Sequence, residues 1–328
     1  MNREDDTAWR PSAPRAQLEL RARLLAGARA FFAARNVLEV DTPCLVNSPV
    51  TDANIHSAQV VLPGDDGRMR FLHTSPEYAM KRLLASGSGD IFQICHVFRG
   101  NERSALHNPE FTLLEWYRVG WPMERLMAEV AEFVRHLLGG DAAGRAVEQL
   151  SYRDAFLREL DLDPFEAPQS ELERAAQAAG FEAPRAAETE RETLLELLLG
   201  LRVGPKLGGG RLTFVHRYPA AQAALAQLDP ADPRVALRFE LYADGMELAN
   251  GFQELTSEEE QRRRFAADQE LRRRRGLPVY RMDQRLLAAL RAGLPAASGV
   301  ALGFDRLHML AAGAHRIDDV LAFPVDVA

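Results

Sequence analysis

Apolar positions recur at helical spacing from Arg15 to Ala34, where Leu18, Leu24, Leu25, Ala28, Phe31 and Phe32 predict a long helix. Val37 to Val40 then reads as a short strand ending at Asp41-Thr42-Pro43. Ser75-Pro76-Glu77 opens a second helix, running to about Ser86, because Ser suits a cap and Pro the first turn. Two strands are predicted at Ile91–Arg99 and Glu110–Arg118, joined by the polar loop Gly100–Pro109. Pro122 to Leu138 has the pattern of an amphipathic helix. Leu212–Tyr218 is a strand, and Val235–Tyr242 and Met246–Phe252 form a hairpin across Ala243-Asp244-Gly245. Ser257 to Arg275 is a helix in which Glu258, Glu259 and Glu260 each stand four residues before an Arg. Its Arg272–Arg275 run reads as a solvated end favoured by the helix dipole. A last strand, Gly299–Gly303, leads into a helix over Phe304–Ala311.

Residues 141–210 differ in character. They predict short helices at 151–160, 169–179 and 188–200, then Gly208-Gly209-Gly210. This is the pattern of a helical insertion, with the glycines as a flexible connection, since no strand-to-helix context makes them a phosphate loop. Residues 1–14 read as a loose polar arm. Short links between consecutive strands make them antiparallel. The expected fold class is α/β of the α+β type: an antiparallel sheet flanked by helices, in one domain over 15–328 that includes the insertion.

The chain has 328 residues, 47% of them hydrophobic, enough for one large core and a small appendage. A net charge of −7 argues against a broad nucleic-acid-binding face. Cys44 and Cys95 form no metal or redox spacing and read as buried thiols in a reducing cytosol. No apolar run approaches membrane-spanning length and the polar N-terminus is unlike a signal peptide, so a soluble cytoplasmic protein is expected.

The candidate chemistry lies in four strings. Phe98-Arg99 ends a strand, and after the loop come His107-Asn108-Pro109-Glu110-Phe111 and Glu115-Trp116-Tyr117. Ser75 and Glu77 stand earlier in the chain. Glu240 and Glu247 flank the hairpin turn, followed by Leu248, Asn250, Phe252 and Glu254. Ala301-Leu302-Gly303-Phe304-Asp305-Arg306 closes the set. Arg99 and Arg306 are suited to phosphate because the guanidinium fork stays charged and binds oxygens in pairs. Glu240 and Glu247 are the residue types that hold Mg²⁺, though a spacing of seven across a turn does not by itself bring them together.

These strings resemble motifs 2 and 3 of the class II aminoacyl-tRNA synthetases, lysyl subgroup, and the helix, strand and Pro43 resemble the dimer element of motif 1. The resemblance implies an ATP-using enzyme that activates a carboxylate. It assigns Arg99 to the α-phosphate and Arg306 to the γ-phosphate as the catalytic pair. It places Asn108, Phe111, His107, Glu247, Leu248 and Gly303 at ATP, and Glu240 with Glu247 at magnesium. Asn101 stands where the synthetases have Glu, and Glu102 follows; spacing leaves open which of them faces adenine. Ser75, Glu77, Glu115, Tyr117, Asn250, Phe252, Glu254 and Ala301 match the amino-acid pocket, where several acids suit a diamine.

Two departures refine the resemblance. Only some 14 residues precede the first helix, too few for the anticodon-binding barrel of a lysyl-tRNA synthetase. Ala301 replaces the first glycine of that subgroup's Gly-x-Gly–hydrophobic–Asp–Arg string. From about Trp9 to Ala328 the chain resembles the truncated lysyl-synthetase paralogues that attach (R)-β-lysine to a lysine of elongation factor P. That implies the protein as acceptor, a homodimer, and no anticodon binding. A truncated synthetase acting on α-lysine is the alternative, discriminated by tRNA charging. A non-catalytic regulator is a third reading, disfavoured because Arg99, Glu240, Glu247 and Arg306 are all present.

Overall fold

The computed structural model of the chain describes residues 9–65, 67–181 and 189–328. In chain order its main elements are α1 (Arg15–Ala33), β1 (Leu38–Glu39), β2 (Leu45–Val46), β3 (Gln59–Val61), β4 (Met69–Leu72), α2 (Glu77–Ala85), β5 (Ile91–Phe98) and β6 (Glu110–Val119). Then come α3 (Met123–Leu138), β7 (Val147–Ser151), α4 (Tyr152–Leu160), α5 (Gln169–Ala178), α6 (Arg191–Leu198), β8 (Leu212–Pro219), β9 (Val235–Ala243) and β10 (Met246–Gln253). The chain closes with α7 (Glu258–Arg274), α8 (Gln284–Gly293), β11 (Ala297–Gly303) and α9 (Phe304–Ala312). The elements group into two compact units. The first holds the chain up to Trp121, Leu255–Ala297 and Ala301–Ala328; the second holds Pro122–Glu254 and Ser298–Val300.

In the first unit the strand order is β1-β5-β6-β11, with β2-β4-β3 as a separate small sheet. β5 and β6 pair antiparallel over their full length, from Ile91↔Tyr117 to Phe98↔Glu110. One face of this pair is apolar: the Phe32 ring of α1 stacks on Phe92 at 4.4 Å between centroids and meets Trp116 edge-on at 5.3 Å. The small sheet and α8 have no counterpart in the sequence reading. The Arg272–Arg275 run also differs from expectation. Arg272 has no exposed surface: its guanidinium donates to the carbonyls of Pro278 (2.6 Å) and Asp52 (2.6 Å) and lies 4.3 Å from the Tyr280 ring. The run marks a point where three segments are tied, because a guanidinium presents five donors in a fixed fork. The cysteines are half-buried rather than buried.

In the second unit the order is β10-β9-β8-β7. β8–β9 and β9–β10 are antiparallel as expected, whereas β7–β8 is parallel, like β1–β5 in the first unit. The expected helical insertion contains α4, α5 and α6 but also β7, which periodicity missed because only five residues show it. The predicted helix at 188–200 begins one residue outside the described residues, as do the first eight residues of the arm. The insertion packs against β8 and β9 in a shared core, where Tyr152 stacks on Phe156 at 4.6 Å and meets Tyr218 of β8 at 4.8 Å and a tilt, with Leu194, Leu195 and Leu198 of α6 in the same cluster.

The three glycines are not a slack connection. Gly208 has φ +74°, its carbonyl accepts from Asp244 N at 2.8 Å, and a Cβ there would stand 2.6 Å from Ala243 Cα. It is therefore pressed against the β9–β10 turn, whose Asp244 and Gly245 both have positive φ (48° and 79°), as a two-residue turn of this hand requires. Gly208→Ala is expected to lower stability by about 2–4 kcal/mol, from the strained backbone plus the clash. Gly209→Ala, where nothing lies within 4 Å, should be near neutral. Urea midpoints of the two variants check this, and equal midpoints would contradict it.

Candidate active site

The second face of the β5–β6 pair is mixed, with Gln93, Glu115 and Tyr117 as polar groups among Ile91, Val97, Phe111 and Leu113. Residues directly opposite in an antiparallel ladder share a face, so Gln93 with Glu115, Cys95 with Leu113 and Val97 with Phe111 all point one way. Glu115 is 2% exposed and its two oxygens are both engaged: Oε2 accepts from Ser75 Oγ and Oε1 from Tyr117 OH, each at 2.6 Å. Ser75 Oγ also accepts from Glu77 N at 3.0 Å, which caps α2 one residue earlier than a regular N-cap and fixes the hydroxyl. Glu77 pairs with buried Lys81, four residues on, at 2.7 Å. Two short hydroxyl bonds hold this buried carboxyl group in one orientation. A cavity of about 630 Å³ opens beside Ser75 and Glu77, with Arg82, Arg281 and Asp283 among its walls.

Arg99 follows β5 directly. Its Nε donates to Thr74 O at 3.4 Å and its guanidinium lies 5.2 Å from the Phe111 ring. Arg306, in the first turn of α9, donates from Nη2 to His107 Nε2 at 2.5 Å and from Nε to Leu106 O at 3.3 Å. Because Arg only donates, Nε2 is the accepting nitrogen, and the ring proton sits on Nδ1, 2.8 Å from Ser104 Oγ. Burial, then the charges of Arg306 and Arg99, push the His107 pKa down to about 4. The imidazole is neutral at pH 7, so it accepts from Arg306 without bringing a charge of its own.

Arg306 is aimed by its neighbour. Asp305 is buried and accepts from Arg21 of α1 at 2.5 Å and from Thr112 N of β6 at 2.7 Å, tying the start of α9 to both elements. The loop between β5 and β6 is fixed from the chain end. Arg103 pairs with Asp326 (2.6 Å) and Asp318 (2.9 Å), and Asn108 Oδ1 accepts from Val325 N at 3.1 Å while its Nδ2 donates to Glu110 O at 2.6 Å. Asn101 is exposed with φ 63°, a left-handed conformation that Asn tolerates well. Glu102, beside it, is half-buried. Ala301 lies half-buried on β11 and Gly303 caps α9.

The second unit carries the other candidates on one hairpin. The register pairs Glu247 with Tyr242, Asn250 with Glu240 and Phe252 with Arg238. Strict alternation would put Glu247 and Asn250 on opposite faces. A bulge between Glu247 and Ala249 shifts the register, so that Glu240, Glu247, Asn250 and Phe252 share one face. Leu248 sits at the bulge with its side chain buried. Arg238 donates to Glu240 (2.5 Å), Asn250 (3.1 Å) and Gln222 O (2.7 Å), and Tyr242 OH donates to Glu240 at 2.6 Å. Burial opposes the charge of Arg238, but Glu240 and its neighbours outweigh it and raise the pKa. Burial, then Glu240 and Glu247, raise that of Tyr242. Gly251 turns its back on this face: a Cβ there would stand 2.4 Å from the Phe239 ring. Glu254 is buried past the end of β10, with its carbonyl accepting from Gln227 at 2.8 Å.

The site candidates thus fall into two groups, Ser75 to Tyr117 with Ala301, Gly303 and Arg306 on the first unit, and Glu240 to Glu254 on the second. Sequence reasoning missed the residues that hold them. Arg238 and Tyr242 stand two places either side of Glu240, so a period of two around that carboxylate was the available signal. Asp305 lay inside a recognised string without a role. Nothing local marked Val325.

The mixed sheet flanked by helices is that of a class II tRNA synthetase domain. The family tRNA synthetases class II (D, K and N) matches residues 6–327, and the chain belongs to it. It is an enzyme of the ligase type, and membership of this family implies the use of ATP. The chain is 49% identical over 327 residues to the elongation factor P–(R)-β-lysine ligase of Edwardsiella ictaluri (strain 93-146), covering 99% of both chains. It is 48% identical over 324 residues to that of Yersinia enterocolitica serotype O:8 / biotype 1B, covering 98% of both. With the Klebsiella pneumoniae (strain 342) ligase it shares 49% over 327 residues, again 99% of both chains. No helix among the described residues is long and apolar enough to cross a membrane.

The depressed His107 pKa sets a pH dependence. An unfolded histidine takes its proton near pH 6.5, the folded one only near 4, so the stability this ring contributes is complete above about 6.5 and is lost as pH falls toward 4. His308, also pushed down to about 4 by burial and then Arg21, adds a second loss in the same window. The thermal midpoint is expected to fall between pH 6.5 and 4, less steeply in His107→Gln. Parallel profiles would contradict the assignment.

Proposed function

We propose that the chain activates (R)-β-lysine with ATP and transfers it to a lysine ε-amine of elongation factor P, in the cytoplasm. What supports this reading is the pairing of near-full-length identity to ligases of that name with a fixed buried carboxylate, Glu115, bonded to Ser75, the residue after the Thr74 carbonyl that Arg99 bonds. In the first step a carboxylate oxygen of the amino acid attacks the α-phosphorus. A P–O bond forms, the bond to the β-phosphate oxygen breaks, and pyrophosphate leaves. In the second step the acceptor nitrogen attacks the carbonyl carbon, the C–O bond to AMP breaks, and the amine proton goes to solvent.

The roles follow the chemistry. Charge gathers on the α-phosphate in the transition state, where Arg99 supplies a fixed cation; Arg306, oriented by its bond to neutral His107, holds the γ-phosphate. Phe111 stacks on adenine, and Asn108 holds the loop that presents it. Asn101, with its left-handed backbone, and Glu102 beside it are the two side chains offered to the adenine edge. Glu247, Leu248 and Gly303 complete the ATP contacts. Ser75, Glu77, Glu115, Tyr117, Asn250, Phe252 and Glu254 hold the diamine, and Ala301 sets where one ammonium lies. Glu240 and Glu247, on one hairpin face, fit magnesium: each Glu240 oxygen keeps a lone pair beyond its protein bond, and Mg²⁺ takes one or two carboxylates with phosphate oxygens and water. When bound, the ion would neutralise charge on the departing pyrophosphate. Residues 15–328 act as one catalytic domain, with residues 141–210 as its insertion.

We also propose a two-fold homodimer through α1 and β1, where Leu18 and Leu38 leave apolar surface exposed. Its measure is the mass in solution at micromolar concentration, and a single-chain mass excludes it.

Pyrophosphate exchange with a panel of lysine isomers tests the activity. Arg99→Ala and Arg306→Ala should each lower the rate by about 100-fold or more with the fold intact. The wild type should favour (R)-β-lysine over α-lysine in kcat/KM. Ala301→Gly should narrow or invert that ratio by about tenfold, the scale of one methyl in a tight pocket. A wild-type preference for α-lysine would overturn the reading.

A further inference from the structure

Gln93 lies on the face of β5 that Glu115 and Tyr117 share, and nothing above uses its amide. It is 1% exposed, and neither its amide oxygen nor its amide nitrogen has a hydrogen-bond partner among the described residues. Its polar neighbour on β5 is the Cys95 thiol, two residues along the same face, a weak hydrogen-bonding group that leaves most of the amide's donors and acceptors unfilled. The register sets it directly opposite Glu115, the carboxylate anchored by Ser75 and Tyr117. Residues opposite one another on a strand pair stand close enough to share a ligand.

A buried carboxamide with no partner destabilises a folded protein, and an apolar side chain of the same shape would do better there. Ile91 and Val97 on the same face of this strand are buried and apolar, and an apolar side chain would suit position 93 as well. We infer that Gln93 is a specificity-determining residue of the amino-acid pocket, its amide oxygen accepting from the ammonium group that Glu115 holds by charge. This inference rests on the amino-acid-activating reading and adds a residue to it.

The division of labour has a physical reason. An ammonium buried against Glu115 needs a counter-charge and more than one acceptor, since it brings three N–H donors. Glu115 already accepts from two hydroxyls. A second carboxylate at position 93 would put two like charges side by side in a dry site, which raises the pKa of one and loses its charge. A carboxamide offers an acceptor with no charge. Recognition of this kind is directional, so it distinguishes isomers that differ only in where an ammonium lies.

Gln93→Met keeps the length of the side chain and removes both polar atoms. Three readouts apply: the thermal midpoint of the free protein, the midpoint shift on adding lysine isomers or ATP separately, and the KM values in pyrophosphate exchange. The free variant should melt at or above the wild-type temperature, because an unsatisfied amide has been removed. Its amino-acid KM should rise at least tenfold, about 1.4 kcal/mol, with the ATP KM within twofold and the lysine-induced shift reduced. A structural glutamine predicts the opposite: a lower midpoint or a protein that does not fold, and either result overturns the inference. An amino-acid KM raised less than threefold also overturns it, and a rise of threefold or more with an undiminished midpoint supports it. If the wild type activates some other amino acid, the reading of the substrate fails by itself. The Gln93 comparison is then made with that amino acid and its outcomes stand unchanged.

Discussion

The two-residue period of the β5–β6 ladder is the constraint from which the first unit's site follows. One uninterrupted antiparallel register makes every alternate side chain face α1 and every other one face away. Phe92 and Trp116 satisfy the first face by packing on Phe32. Glu115, Tyr117, Gln93 and Phe111 are thereby committed to the second. A one-residue slip would exchange the faces, burying Glu115 against phenylalanine. The aromatic packing therefore does more than stabilise the strand pair; it holds the polar side chains where they are. Asp305 extends the same restraint to α9 by bonding Thr112 N within β6 and Arg21 within α1, so Arg306 starts from a backbone that cannot swing.

The second unit reaches a comparable result by breaking the period. A bulge at Leu248 returns Glu247 to the face that Asn250 and Phe252 occupy. Arg238 then bonds Glu240 and Asn250 together. Buried charge is stable here only because each ionised group meets several partners of fixed geometry; removing one would leave the others uncompensated. Gly208 and Gly245 allow the neighbouring backbone to press against the turn that carries this hairpin. Both units thus share a strategy, in which rigid secondary structure carries the polar groups and neighbouring side chains lock their rotamers.

Much of this was legible in the sequence. The two strands read at 91–99 and 110–118, found at 91–98 and 110–119, the tight turn at Asp244-Gly245 and the long helices were all marked by periodicity or turn chemistry. The arginines and acids were found by their strings. The bulge was not, because the Glu247–Asn250 spacing is ambiguous until a register is fixed. Arg272 was misread as solvated, since a run of arginines at a helix end has no sign of which one is buried. β7 and α8 are too short or too plain in pattern to stand out. The tie from Val325 to Asn108 joins residues more than 200 apart in sequence and leaves no local trace. The glycine run was misjudged because a composition of three glycines is the same for a slack linker and for a close backbone approach.

The central claim is that this site makes an aminoacyl-adenylate and hands it to a protein amine. The most direct test is the intact mass of elongation factor P after incubation with the enzyme, ATP and (R)-β-lysine. The account predicts a gain of one lysyl group on a single lysine, absent when Arg306→Ala replaces the wild type. Unchanged elongation factor P, with the amino acid instead found on tRNA, would contradict it.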